Sequence, residues 1–161
     1  MTRSNIIDAI NRLLVERWPN RTVYIDVCPV DFDRPSFWLS SEPEKITRIN
    51  PFMEQHEVNL LLTLFDEKDE HYEISWQRLD EEVDQASAVI GTCLRVGERA
   101  LTLAKNVLPR LPDRAQIRIT TMWMEPTARG EESVPEDLDI HIAVAVQDMT
   151  GEKTIIEDLG G

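Results

Sequence analysis

The sequence predicts an α+β fold: an antiparallel or mixed sheet of about four to five strands with two helices packed on one face. Three observations predict it. Phe52 to Phe65 places Val58, Leu60, Leu62 and Leu64 at every second position, the period of a strand with one covered face. Two stretches, one near the N-terminus and one after Leu79, carry apolar residues at helical spacing instead. Further short β-branched and aromatic runs, separated by Pro, Gly and Asp, supply the remaining strands. The other side of the long strand, Glu57, Asn59, Leu61, Thr63 and Phe65, is polar first and apolar last, so its second face is expected to be covered only near Phe65.

The first helix can be capped by Ser4 or Asn5, with Asp8 in its first turn and Ile6, Ile10, Leu13 and Leu14 on one stripe. It must stop by Trp18, because Pro19 disfavours helical geometry in the residue before it. Thr22 to Val27 is expected as a strand and Cys28 to Arg34 as a turn. Ser36 to Ser40 follows as a short strand with Phe37 and Leu39 on one side and Trp38 on the other. Ser41 to Pro51 holds two prolines and no clean period, which predicts a loop. After the central strand, Asp66 to Tyr72 is an acidic connection without the spacing of a calcium loop. Leu79, Val83, Ala86, Val89, Ile90, Cys93 and Leu94 mark a second helix over about 80–96, ended by Gly97. The stretch 97–112 fits a strand or a continued helix equally. Gln116 to Met124 and Asp137 to Asp148 are expected to form a hairpin whose long tip, 125–136, contains Glu131 and Glu132. One domain over 1–149 and a fraying tail over 150–161 complete the expectation.

Composition narrows the function. With 42% hydrophobic and 29% charged residues the chain belongs with soluble globular domains, and neither an apolar run of membrane length nor a signal peptide is present. A cytoplasmic location follows as the expectation. The net charge of −13 argues against a groove that binds nucleic acid through Lys and Arg. Cys28 and Cys93 are expected to be reduced and structural. No nucleophile elbow, phosphate loop, dinucleotide turn or zinc-protease helix is present, so no catalytic, cofactor or metal residues are assigned. His56, His71 and His141 are expected to be satisfied or at the surface.

The charge is unevenly spread. Acidic residues dominate Glu54 to Asp84, including Asp66, Glu67, Asp69 and Glu70, whereas Arg95, Arg110, Arg114 and Arg118 belong to a basic stretch. Beside an ordinary solvated face, this pattern fits unlike-charged surfaces meeting between copies of the chain. Trp38 and Trp123 are either core residues or anchors of the same kind of interface.

Several pieces then occur in a recognisable order. Trp18-Pro19 closes the first helix, Val23-Tyr24-Ile25-Asp26 follows, and Phe32 and Pro35 precede Phe37-Trp38-Leu39. After a loop with Arg48 comes the alternating strand His56 to Phe65, and near the end Leu138 to Val146 carries His141. In this order the chain resembles the tail terminator family of long-tailed phages and prophages, except that Val30 and Asp31 stand where that family often has Gln-Gly. No specific match covers 66–115. The resemblance implies a structural virion protein, not an enzyme. It would form a homo-oligomeric ring, expected to be a hexamer, that caps the finished tail tube, stops its elongation and presents a surface for head joining. Its implied partners are other copies, the tail tube protein and the head-tail connector, with no specific nucleic acid and no membrane. Its implied places are the bacterial host cytoplasm during assembly and then the virion tail. Glu131 and Glu132 are candidates for the ring lumen. A head-tail adaptor or tail completion protein is the alternative, and a small carboxylate-dependent hydrolase using Glu81 and Glu82 a third class.

Overall fold

A computed structural model describes residues 1–127, 144–147 and 153–156. The chain divides into two compact units, Met1–Thr127 and Ala128–Gly161, where the sequence suggested a boundary at 149. In the second unit, Val144–Gln147 pairs antiparallel with Lys153–Ile156. Residues 144–147 therefore form a ladder with part of the expected tail, and most of the strand expected to hairpin with 116–124 lies outside the described residues. The lumen candidates Glu131 and Glu132, together with Leu138 and His141, lie outside the described residues.

The first unit is an α+β fold with two helices and a mixed sheet of seven strands, more than the sequence suggested. Helix α1, Arg3–Arg17, starts two or three residues earlier than predicted: Thr2 is the cap, and its amide and hydroxyl both donate to Asn5 Oδ1 at 3.0 and 2.6 Å. It ends where Pro19 requires. Strand β1, Thr22–Ile25, lies parallel to β2, Ser36–Ser41, and β2 lies antiparallel to the long strand β4, Met53–Phe65. The 41–51 segment is not a loop throughout, because Lys45–Asn50 forms strand β3, which hairpins onto the first half of β4. All six of its residues are exposed, so neither of its faces required the alternation that marks a half-buried strand.

Helix α2, Trp76–Ile90, is shifted from the predicted 80–96. It ends at Gly91, whose φ of 69° and ψ of −170° suit glycine, and Cys93 and Leu94 lie in strand β5, Cys93–Val96. The undecided stretch after Gly97 is strand β6, Arg99–Val107, joined to β5 through Gly97 at φ 61°. Strand β7, Ala115–Pro126, is bordered by β4 along its whole length and by β6 opposite 117–121. The strand order is β1-β2-β4-β7-β6-β5, with β3 beside β4 below β2.

Both helices cover the face of β4 predicted to be buried. Ile6, Ile10 and Leu14 of α1 and Leu79, Val83, Ala86 and Ile90 of α2 form one core with Val58, Leu60, Leu62 and Leu64. Helix α1 touches both β1 and β5, the two ends of the strand order, so the sheet curls around it. Among the described residues, the opposite face is closed at its Phe65 end by Phe32, with ring centroids 4.2 Å apart. Among the described residues no helix is long and apolar enough to cross a membrane.

Candidate functional site

Full burial of β4 starts at Val58, so residues 53–57, with β3 and the end of β7, form an arm beyond the most tightly packed part of the core. Register places Ile46, His56 and Trp123 in one row across the arm, on the face that the helices cover further along. His56 stacks on Trp123 with centroids 5.1 Å apart, and its Nδ1 lies 2.7 Å from Glu44 Oε1. On the other face Lys45, Glu57 and Met122 form a row, and Thr47, Gln55 and Met124 the next. Exposed apolar groups concentrate here: Ile46, Ile49, Phe52, Met122 and Met124 are each about half or more exposed. Among the described residues β3 pairs only with β4, and β1 only with β2, so each has a backbone edge without a ladder. Such an edge is a template for another strand.

The opposite end of β4 is charged and closed upon itself. Asp66 is 1% exposed, and its carboxylate takes 2.7 Å hydrogen bonds from Arg78 Nε and from the Glu67 amide. Arg34 lies over the rings of Phe32 and Phe65 and donates to the Asp66 and Asp113 carbonyls and to the Asp113 carboxylate. Arg114 lies over Phe65 and donates to Asp113 as well. Burial raises the pKa of Asp113, but the hydrogen bond and charge of Arg114, followed by those of Arg34, outweigh it and leave the carboxyl below its ordinary value. Arg110 pairs with Asp80 while lying over Trp76.

One pair, Arg110 with Asp80, joins within the chain the basic and acidic stretches that the charge pattern suggested meet between chains. Asp66 is buried and paired with Arg78, and so is not a surface contact acid in the single chain. Asp69 organises its own loop by accepting from the His71 and Glu73 amides, both at 2.8 Å. Glu67, Glu70 and Arg95 are exposed, and Arg118 projects from the open sheet face, 3.9 Å from Glu42. Trp123 is 7% exposed and packs in the core, so in the single chain it is not an exposed anchor. Trp38 is half-buried on the open face and donates to the Asp26 carbonyl at 3.3 Å. Both cysteines are free; Cys93 is exposed, which does not suit the structural role expected of it, and Cys28 is intermediate, its thiol pKa raised by burial.

Lys45, Ile46 and Thr47 on β3 were not singled out from sequence, and Tyr24, Ile25 and Asp26 at β1 entered as part of a strand and of the resemblance, not as site residues. The usable signal was Ile46, Thr47 and Ile49 ahead of Asn50-Pro51, a β-branched run followed by turn residues directly before the long strand. Among the described residues no group of three or more His, Cys, Asp or Glu side chains is placed to share a cation. No family model matches the chain, and no curated protein matches it.

Proposed function

We propose that this chain is a structural subunit of virion assembly, which caps the end of a phage tail tube as a ring, stops tube elongation and presents the head-joining surface. The observation that carries self-assembly is the arm: an edge strand with all six residues exposed, set among exposed Ile46, Ile49, Met122 and Met124. The tail-cap reading is supported by the pieces of the family resemblance, which pack together. Trp18 meets Phe37 edge-on at 5.2 Å, Phe32 covers Phe65, and Val23 to Ile25 pair with Phe37 to Leu39. On this reading the partners are other copies, six in the completed ring, then the tail tube protein and the head-tail connector. Unlike charges left at the surface, Glu67 and Glu70 against Arg95 and Arg118, help set the orientation of neighbours in the ring.

The test is electron microscopy of particles from a host whose prophage lacks this reading frame. Tubes of uncontrolled length, with full heads unattached, are the expected result. Tails of normal length beside unattached heads would move the chain to a head-side adaptor, and unchanged infectious particles would end the virion reading.

A further inference from the structure

We infer that the free edge formed by β1 and β3 is self-complementary and that its occupant is a second copy of this chain, with β3 of each copy pairing antiparallel to β1 of the other. The inference rests on the self-assembly reading above and names the partner of the exposed edge.

The edge is stepped. β2 and β3 lie end to end along one side of β4, Ser36–Ser41 opposite Leu60–Phe65 and Lys45–Asn50 opposite Met53–Glu57. β1 adds a further strand outside β2 alone. The sheet thus projects by one strand beside the second half of β4 and is recessed by one beside the first. β1, β2 and β3 all run in the same direction, because β1 is parallel to β2 and both β2 and β3 are antiparallel to β4. A second copy turned by half a rotation about the sheet normal presents the same step with position and strand direction reversed. Its projecting β1 fills the recess beside β3, and its β3 comes to lie beside the first copy's β1. Both new ladders are antiparallel, and the helices of the two copies stay on the same side.

Side-chain chemistry selects the register. With Ile46 opposite Ile25 of the second copy, Thr47 falls opposite Tyr24 and Arg48 opposite Val23, and Lys45 comes to the end of β1, beside Asp26, which turns out of the strand at φ 56°. The faces agree: Ile46 shares a row with His56 and Trp123, and Ile25 one with Leu39 and Leu62, all on the helix side. Ile46 and Ile25 are 56% and 37% exposed and would cover each other. A lysine on an edge ordinarily keeps other strands away. Here the exposed Asp26, which accepts from Ser41 Oγ at 2.8 Å through one carboxylate oxygen, would bring its charge beside Lys45, and would do so twice in a two-fold contact. One register satisfies both halves, since the two β1 strands occupy different stretches of the same line. A two-fold contact closes on itself, whereas a ring needs a head-to-tail one. The pair is therefore the stored form of the free subunit, which covers its edges until they are exchanged on the tube.

The test uses the full chain with Cys28 and Cys93 replaced by Ser, carrying Ile25→Cys and Ile46→Cys together. Within one copy these positions lie opposite Leu62 and His56, about 20 Å apart along β4, too far for a disulfide. Oxidation is expected to give a covalent dimer of the double variant and none of either single variant. Sedimentation across a concentration series should show Lys45→Glu weakening association about tenfold. An oligomer that does not cross-link overturns this pairing and leaves self-assembly standing. A chain that is monomeric at every concentration overturns both.

Discussion

Arg21 shows how much of this fold hangs on single side chains. It lies between α1 and β1 and reaches Glu82 of α2 through two hydrogen bonds, one of them 3.0 Å from Nη1 to Oε2, while its guanidinium lies 5.2 Å from the centre of the Phe37 ring. Both side chains are nearly buried, at 14% and 11% exposure. Removing one partner leaves the other charge uncompensated, so Arg21→Ala is expected to cost about 3–5 kcal/mol in urea unfolding. Arg21→Met, which keeps the stem, should cost less when Glu82→Leu accompanies it; equal losses in the single and double variants would count against the pair. Asp113 carries a pH dependence of known sign. Its folded pKa lies below its unfolded value, so its contribution to stability is present above the ordinary 3.8 and is lost as pH falls through the lower folded value. The unfolding midpoint of Asp113→Asn should therefore fall less than that of the parent between neutral and strongly acidic pH. Pairs such as Arg21 with Glu82, 61 residues apart, cannot be seen in sequence, because either residue alone resembles solvated surface charge.

Elements were legible where a face is covered and obscure where it is not. β4 was placed correctly because the covered face forces Val58, Leu60, Leu62 and Leu64 into alternation, and the buried Phe65 end was visible in the change from polar to apolar residues on the other side. β3 was missed because both of its faces meet water, so Lys45 to Asn50 needed no period at all. The end of α2 was misplaced because Cys93 and Leu94 continue the spacing of Val83, Ala86 and Ile90, although Gly91 gave the true stop. The same blindness hid the arm, and with it the candidate site. The two turn glycines separate backbone demand from mere convenience. Gly91 has a conformation close to glycine-only, so Gly91→Ala is expected to destabilise by about 1–3 kcal/mol. Gly97, at φ 61° with open space around its α-carbon, sits where Asn is tolerated, and Gly97→Asn should cost less than about 1 kcal/mol. Comparable losses in thermal unfolding for the two variants would contradict this assignment.

At the scale of the whole chain the acidic charge is divided unequally. Among the described residues, the core that joins both helices to the long sheet is drawn from residues 6–123. Residues 128–161 hold Glu131, Glu132, Glu136, Asp137, Asp139, Asp148, Glu152, Glu157 and Asp158 against Arg129 and Lys153. A unit with its own core and its own sheet has what independent folding requires. The fragment 1–127 is accordingly expected to unfold in one cooperative transition, with helix and strand signals lost together in circular dichroism. Shedding so much like charge also reduces self-repulsion, so the fragment's unfolding temperature should depend less on salt than that of the full chain. A broad, non-cooperative melt of 1–127 would mean that its core is completed by residues beyond Thr127. A cooperative melt would give the stepped edge of β1 and β3 a scaffold that folds without the C-terminal unit, on which its pairing can be measured in isolation.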